Sequence, residues 1–250
     1  MNWNLVAKQG QISRELSSNI SPILYNDKYV YRVWENYMYF ADTINEGILN
    51  IKPELIGTNS YKQIIKLLKS ELGSETLKFN CQRINLPPDE YAVGGVYDSY
   101  RNIRHVVLFF SEYVDDFRLA PTKFKEFHFS ISQTIQHETV HSDQWKRVKR
   151  REPIQTINFK KLYLNYEVSV KDTLEYLIDP DEMDARGHDI AMEIKFYYKN
   201  QDAYEVLNNI DKKRKLSSYN YYKQSFKKEG WNVVKPKLLE QVAKWLPHAR

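Results

Sequence analysis

Near the middle of the chain, Gln136-His137-Glu138-Thr139-Val140-His141 sets two histidines four positions apart, with a glutamate directly after the first. In an α-helix four residues turn by about 400°, so both imidazoles stand on one face and can share a single ion. Glu138 is rotated about 100° from His137, beside that face, where it can reach a water held by the ion without being a ligand itself. H-E-x-x-H therefore places two metal ligands and a general base on one rigid element. The alternative is a pair of core-edge histidines around a solvated glutamate, which needs no metal. Ile131, Ile135 and Val140 give the segment an apolar side, so its helix is expected to be partly buried and able to hold the imidazoles still.

A catalytic zinc ion takes three protein ligands and leaves a position open for water, so a third ligand is required. The metzincin extension would need glycine at 144 and histidine at 147, where this chain has Gln144 and Arg147; that class is excluded. The best remaining source is Tyr176-Leu177-Ile178-Asp179-Pro180-Asp181-Glu182-Met183-Asp184-Ala185-Arg186, an acidic cluster opening a predicted helix. Glu182 is the leading candidate, with small Ala185 three residues on. Asp181, Asp184 and His188 compete, the last two forming an i, i+4 pair of their own. Acids also favour the first turn of any helix because of its dipole, which explains the cluster without a metal. Arg186 and Asp189 fall on about the same face as Glu182. Asp189 could orient a ligand histidine through its free ring N–H, and Gln144 could do the same from the first helix. His105, His128 and His248 have no partner at metal spacing.

These residues need elements to position them. Apolar residues at spacings of three and four (Val30, Val33, Trp34, Tyr37, Met38, Ala41, Ile44, Ile48) predict a helix over about 29–51, and a second is expected at 60–72, closed by Gly73. From Tyr91 the pattern changes to two strands in a hairpin, Val93 to Tyr97 and then 103–110, around a turn at Asp98-Ser99-Tyr100-Arg101-Asn102. The motif helix is expected from Phe124 to about 149, before Pro153, and another over 181–198, with Pro180 just before its first turn. The last fifty residues read as helical, broken near Gly230 and Pro236. With no repeat and no low-complexity linker, one domain over 1–250 is the default: a helical part at 1–85, a core at 90–200 and a helical part at 201–250.

Composition narrows the classes. In 250 residues the longest apolar run, Val106 to Phe110, is far short of the roughly 20 residues of a membrane span, and the start lacks the pattern of a secretory signal. A soluble, cytoplasmic protein with no membrane partner is expected. The single cysteine, Cys81, permits no internal disulfide and reads as a small core hydrophobe. The net charge of +5 comes largely from Lys146-Arg147, Lys149-Arg150-Arg151 and Lys212-Lys213-Arg214-Lys215, which suit a solvated face better than a nucleic-acid groove. An aromatic content of 14% argues for an ordered, packed chain.

His137, Glu138, His141, Glu182 and Ala185 together resemble the gluzincin group of zinc metallopeptidases, in which H-E-x-x-H on one helix is completed by a glutamate in E-x-x-A on a later one. The resemblance spans about the middle hundred residues. It implies an α+β, mainly helical, zincin-like fold with a small antiparallel sheet whose edge strand borders the H-E-x-x-H helix. It also implies one Zn²⁺ per chain held by His137, His141 and Glu182, and hydrolysis of a peptide or protein substrate with Glu138 as general base. Ile103, Arg104, His105, Val106, Val107 and Leu108 would form the edge strand that pairs with extended substrate. His188, Arg186 or one of Tyr163, Tyr166 and Tyr176 would donate to the oxyanion. The Lys-, Asn-, Ile- and Tyr-rich composition is similar to that of small phage-encoded zincins, which would add the virion to the host cytoplasm as a location. Two other classes follow: a catalytically silent structural or virion-assembly protein on this fold, and a nucleic-acid-associated protease using the basic runs. An intact Glu138 favours an enzyme over the first. The absence of a zinc ribbon, helix-turn-helix or basic-aromatic stripe ranks the second last.

Overall fold

A computed structural model describes residues 27–147 and 175–250, which form two compact units, 41–147 and 27–40 with 175–250. The architecture is α+β with helix predominating. Its elements are α1 (Asp27–Asn50), α2 (Lys52–Leu55), β1 (Gly57–Ser60), α3 (Tyr61–Leu72), β2 (Leu77–Ile84), β3 (Tyr91–Asp98), β4 (Ile103–Ser111), β5 (Asp116–Leu119), α4 (Phe124–Arg147), α5 (Pro180–Tyr197), α6 (Ala203–Asn208), α7 (Ser217–Ser225) and α8 (Lys228–Trp245). Among the described residues no helix is long and apolar enough to cross a membrane.

In the first unit the hairpin forms as its residues suggest, with β3 and β4 antiparallel and Gly95 opposite Val106. The surroundings of β4 correct the expectation for Ile103 to Leu108. A further strand, β2, pairs with β4 in parallel, so the sheet is mixed, its order is β2-β4-β3, and β4 is its centre. Val106 to Ser111 are buried without a break, the pattern of a strand covered on both faces. Ladder bonds on both sides leave that strand no free row of N–H and C=O groups for a substrate. The edge beside the motif helix is β3, against which α4 packs. Phe79, Val106, Leu108, Phe110, Phe117 and Phe127 fill the core, and Tyr91 stands edge-on to Phe117 and Phe127. β1 and β5 form a separate antiparallel pair, and Gly57 supplies the positive φ of 112° there. Ser60 caps α3 by accepting from the Gln63 N–H. Gly73 closes that helix in an extended conformation, its N–H bonded to the Lys69 carbonyl.

The second unit is built on α5 and α8. Asp179 caps α5, accepting from the N–H groups of Asp181 and Glu182, and Pro180 takes the first helical position. The two helices approach closely at Gly187, where a Cβ would stand 2.5 Å from Gln241 Cβ and 2.9 Å from the Gln241 carbonyl carbon. The expected break near Gly230 and Pro236 does not occur; α8 runs through both. Gly230 lies in the first turn. Pro236 costs a hydrogen bond, about 3 kcal/mol in an exposed helix interior, but Val234, Leu238, Val242 and Trp245 are buried on either side of it. Tertiary packing offsets the loss.

Candidate metal centre

Helix α4 carries the motif inside the first unit. His137 is 6% exposed and Glu138 4%, while His141 is half-buried. The two imidazole rings stand nearly perpendicular with centroids 4.8 Å apart, and their Nε2 atoms are 3.2 Å from each other. Two nitrogens at about 2.05 Å from a tetrahedral zinc would be about 3.3 Å apart, so the pair already has the spacing of two ligands on one ion. Gln144 Oε1 lies 2.9 Å from His141 Nδ1. An amide oxygen can only accept, so Nδ1 carries the proton and Nε2 turns its lone pair to the shared point. Gln144, which the sequence suggests as an orienting residue, thus stands at the His141 ring.

The helix is tied to β4 within the motif and to α1 just before it. Arg104 donates to Thr139 Oγ1 at 3.1 Å and to Thr76 Oγ1 at 2.8 Å, and Thr139 donates to the Ile135 carbonyl at 2.8 Å. Burial pulls the Arg104 guanidinium below its ordinary pKa. Gln136 donates to Ser132 and Ser132 to Asn45, at 2.7 and 2.6 Å. Glu138 rests on β3: a Cβ at Gly95 would lie 2.5 Å from Glu138 Oε1, 2.8 Å from Glu138 Cγ and 2.8 Å from Thr134 Cγ2. Hydrogen alone fits there. Sequence reasoning passed over Gly95 and Thr139, and it gave Arg104 a place in a substrate-pairing strand rather than this bond to the motif helix. Two adjacent glycines inside a strand pattern, which mark a close approach of another element, are the signal for the first.

Helix α5 carries the second part. Glu182 is 2% exposed. Arg186 Nε bonds Glu182 Oε1 at 2.7 Å, and Arg186 Nη1 bonds Asp189 Oδ2 at 3.1 Å. Burial works against the Arg186 charge, but Glu182 and Asp189 outweigh it and hold its pKa well above the ordinary value. Two competitors for the third position are engaged elsewhere. Asp184 Oδ1 accepts from Lys244 Nζ and Trp245 Nε1, both at 2.7 Å. His188 is fully buried, hydrogen-bonded through Nε2 to the Tyr37 hydroxyl and edge-on to Trp245. Asp189, suggested as a partner for a ligand histidine, is seen bracing Arg186, with His188 Nδ1 at 3.5 Å from its other oxygen.

One nitrogen each of His137 and His141 and one carboxylate oxygen of Glu182 lie within 4.8 Å of one another, a buried group that could hold a metal ion. Arg186 is bonded to one oxygen of Glu182, and the Gln144 amide lies at one ring nitrogen of His141. No family model, curated protein or solved structure matches the chain.

The remaining expected residues are dispersed. His105 is half-buried in β4, and burial pulls its pKa down. Cys81 is half-buried in β2, with its thiol pushed up by burial. In the basic run, Lys213 stands over the Tyr198 ring at 4.9 Å and Lys215 over Tyr197 at 5.8 Å. Lys149, Arg150, Arg151, Tyr163 and Tyr166 lie outside the described residues.

Proposed function

We propose that this chain is a zincin-like, gluzincin-type metallopeptidase that hydrolyses a peptide bond, with one zinc ion held by His137, His141 and Glu182. The observation that carries this reading is the grouping of two imidazoles and one buried carboxylate beside a glutamate that directly follows the first histidine. Two imidazoles and a carboxylate also suit iron(II). Glu138 tips the balance, because a base at this position serves hydrolysis.

When bound, zinc would supply a Lewis acid that lowers the pKa of water and polarises the scissile carbonyl. The chain's own residues do the rest. Glu138 takes the proton of the attacking water and passes it to the leaving amine, and its seat on Gly95 holds the carboxylate at the border of β3. Gln144 keeps His141 in the tautomer that presents Nε2. The outer edge of β3, the strand against α4, takes over the substrate-pairing role first assigned to β4.

Metal analysis of the purified chain should find one zinc per chain, lost in His137→Ala. Glu138→Gln should keep the metal and lose about 10²- to 10⁴-fold in kcat on a casein or peptide-library substrate. A Glu138→Gln protein as active as the parent would sink the peptidase reading. One equivalent of zinc with no cleavage of any peptide or protein would favour the silent structural protein.

A further inference from the structure

The charges along α5 form a chain in which each member has a fixed place. Glu182, Arg186 and Asp189 follow at i, i+4 and i+7, so one guanidinium lies between two carboxylates on the same helix face. It uses different nitrogens for each, Nε on Glu182 Oε1 at 2.7 Å and Nη1 on Asp189 Oδ2 at 3.1 Å. Both carboxylates are buried, and Arg186 is the least buried of the three. A planar fork that bonds two partners at once cannot rotate without breaking one of them. Glu182 is thereby held in a single rotamer with one oxygen already taken.

We propose that Arg186 is the positioning residue for Glu182 and limits that carboxylate to offering one oxygen to an ion. The inference rests on Glu182 being the third ligand. A carboxylate free of Arg186 could bind through both oxygens, as carboxylates do when nothing restrains them. That would fill a position a hydrolytic site must leave for water. The sequence suggests Arg186 as an oxyanion donor; its bonds to Glu182 and Asp189 give it a role on the ligand. Asp189 is the far anchor of the same device, fixing the guanidinium that fixes Glu182.

Metal binding by the full chain tests this without a substrate. Zn²⁺ affinity is measured by competition with a chromophoric chelator, and the visible absorption of the Co²⁺-loaded protein reports coordination number. The parent should bind one equivalent, with the intense absorption of a four-coordinate Co²⁺. Arg186→Gln should bind Zn²⁺ about 10- to 100-fold more weakly, the range for loss of a group that orients a ligand. Its Co²⁺ absorption should weaken as a second carboxylate oxygen enters. Arg186→Lys keeps the charge but can reach one carboxylate at a time, so it should fall between the two in both readouts; it also serves if Arg186→Gln does not fold. Asp189→Asn should move both in the same direction by less. Parent-like affinity and spectrum in Arg186→Gln and Arg186→Lys would overturn the inference and leave the metal site standing. A parent chain that binds neither ion would remove the site and the inference together.

Discussion

Helices α4 and α5 hold the members of the candidate metal group, His137 and His141 on one and Glu182 on the other, by opposite means. On α4 the helix repeat itself does the work: positions 137 and 141 face one point, and their Nε2 atoms sit 3.2 Å apart, oriented by a neutral amide. On α5 a single carboxylate is set in a line of charges, Glu182 to Arg186 to Asp189, while Asp184 on the same helix is bonded to Lys244 of α8. Backbone geometry alone sets two imidazoles on α4 at the spacing of a chelate. The carboxylate on α5 has no such geometric partner and takes its direction from an ion pair.

The largest effect that could break this contrast is on metal affinity. His137→Ala destroys the chelate and leaves one imidazole, whereas Glu182→Ala leaves both imidazoles at ligand spacing. Both variants should bind Zn²⁺ more weakly than the parent, by more than the roughly 10- to 100-fold expected when only an orienting group is lost. The loss should be greater for His137→Ala. Equal affinity of Glu182→Ala and the parent, measured by the same chelator competition, would remove α5 from the site.

A smaller effect separates the base from the ligands on α4. Gly95→Ala puts a methyl group against Glu138 Oε1 and Cγ and against Thr134 Cγ2. The end of a glutamate can swing away, but Cγ and the threonine methyl cannot do so without moving the helix. Overpacking of this kind costs about 1–3 kcal/mol of stability. Glu138 would be displaced while the imidazoles keep their places, so kcat should fall by about tenfold or more with zinc affinity nearly unchanged. Loss of zinc affinity in Gly95→Ala would mean that the base and the ligands on α4 are not separable.

The same contrast governs what could be read in advance. The motif on α4, the hairpin and α5 itself were legible because each depends on local spacing: i, i+4 histidines, alternation around a turn, a proline and acids opening a helix. The central position of β4 was also written in the chain. An unbroken apolar run, Val106 to Phe110, marks a strand covered on both faces, which argues against the edge strand implied by resemblance. β2 escaped because Lys78, Asn80 and Arg83 point outward and only Leu77 and Phe79 are buried, leaving a short and weak alternation. The place of Arg186 and the continuity of α8 through Pro236 depend on side-chain partners and packing that spacing does not reveal.

Glu193, farther along α5, offers the smallest effect and the sharpest test of what the cations on that helix do. It is buried like Glu182 and Asp189, but its donors are the hydroxyls of Ser217 and Ser218 and the Ser218 N–H, at 2.5, 2.9 and 3.1 Å. Burial pushes its carboxyl up to about 7, and those hydrogen bonds offset only part of the rise. The folded chain therefore holds a proton there that the unfolded chain has released, between the ordinary 4.5 and about 7. Across that window the unfolded state binds fewer protons, so stability must fall as pH rises and level off above it. The loss is at most about 3 kcal/mol, a shift of several degrees in melting temperature. Glu193→Gln keeps an acceptor for the Ser218 N–H and cannot ionise. Thermal denaturation from pH 4.5 to 8 should show the parent losing stability relative to Glu193→Gln through this window, and the variant should be the more stable of the two at pH 8. Parallel curves would show that Glu193 is ionised throughout and that three neutral donors can hold a buried carboxylate on α5 as well as Arg186 does.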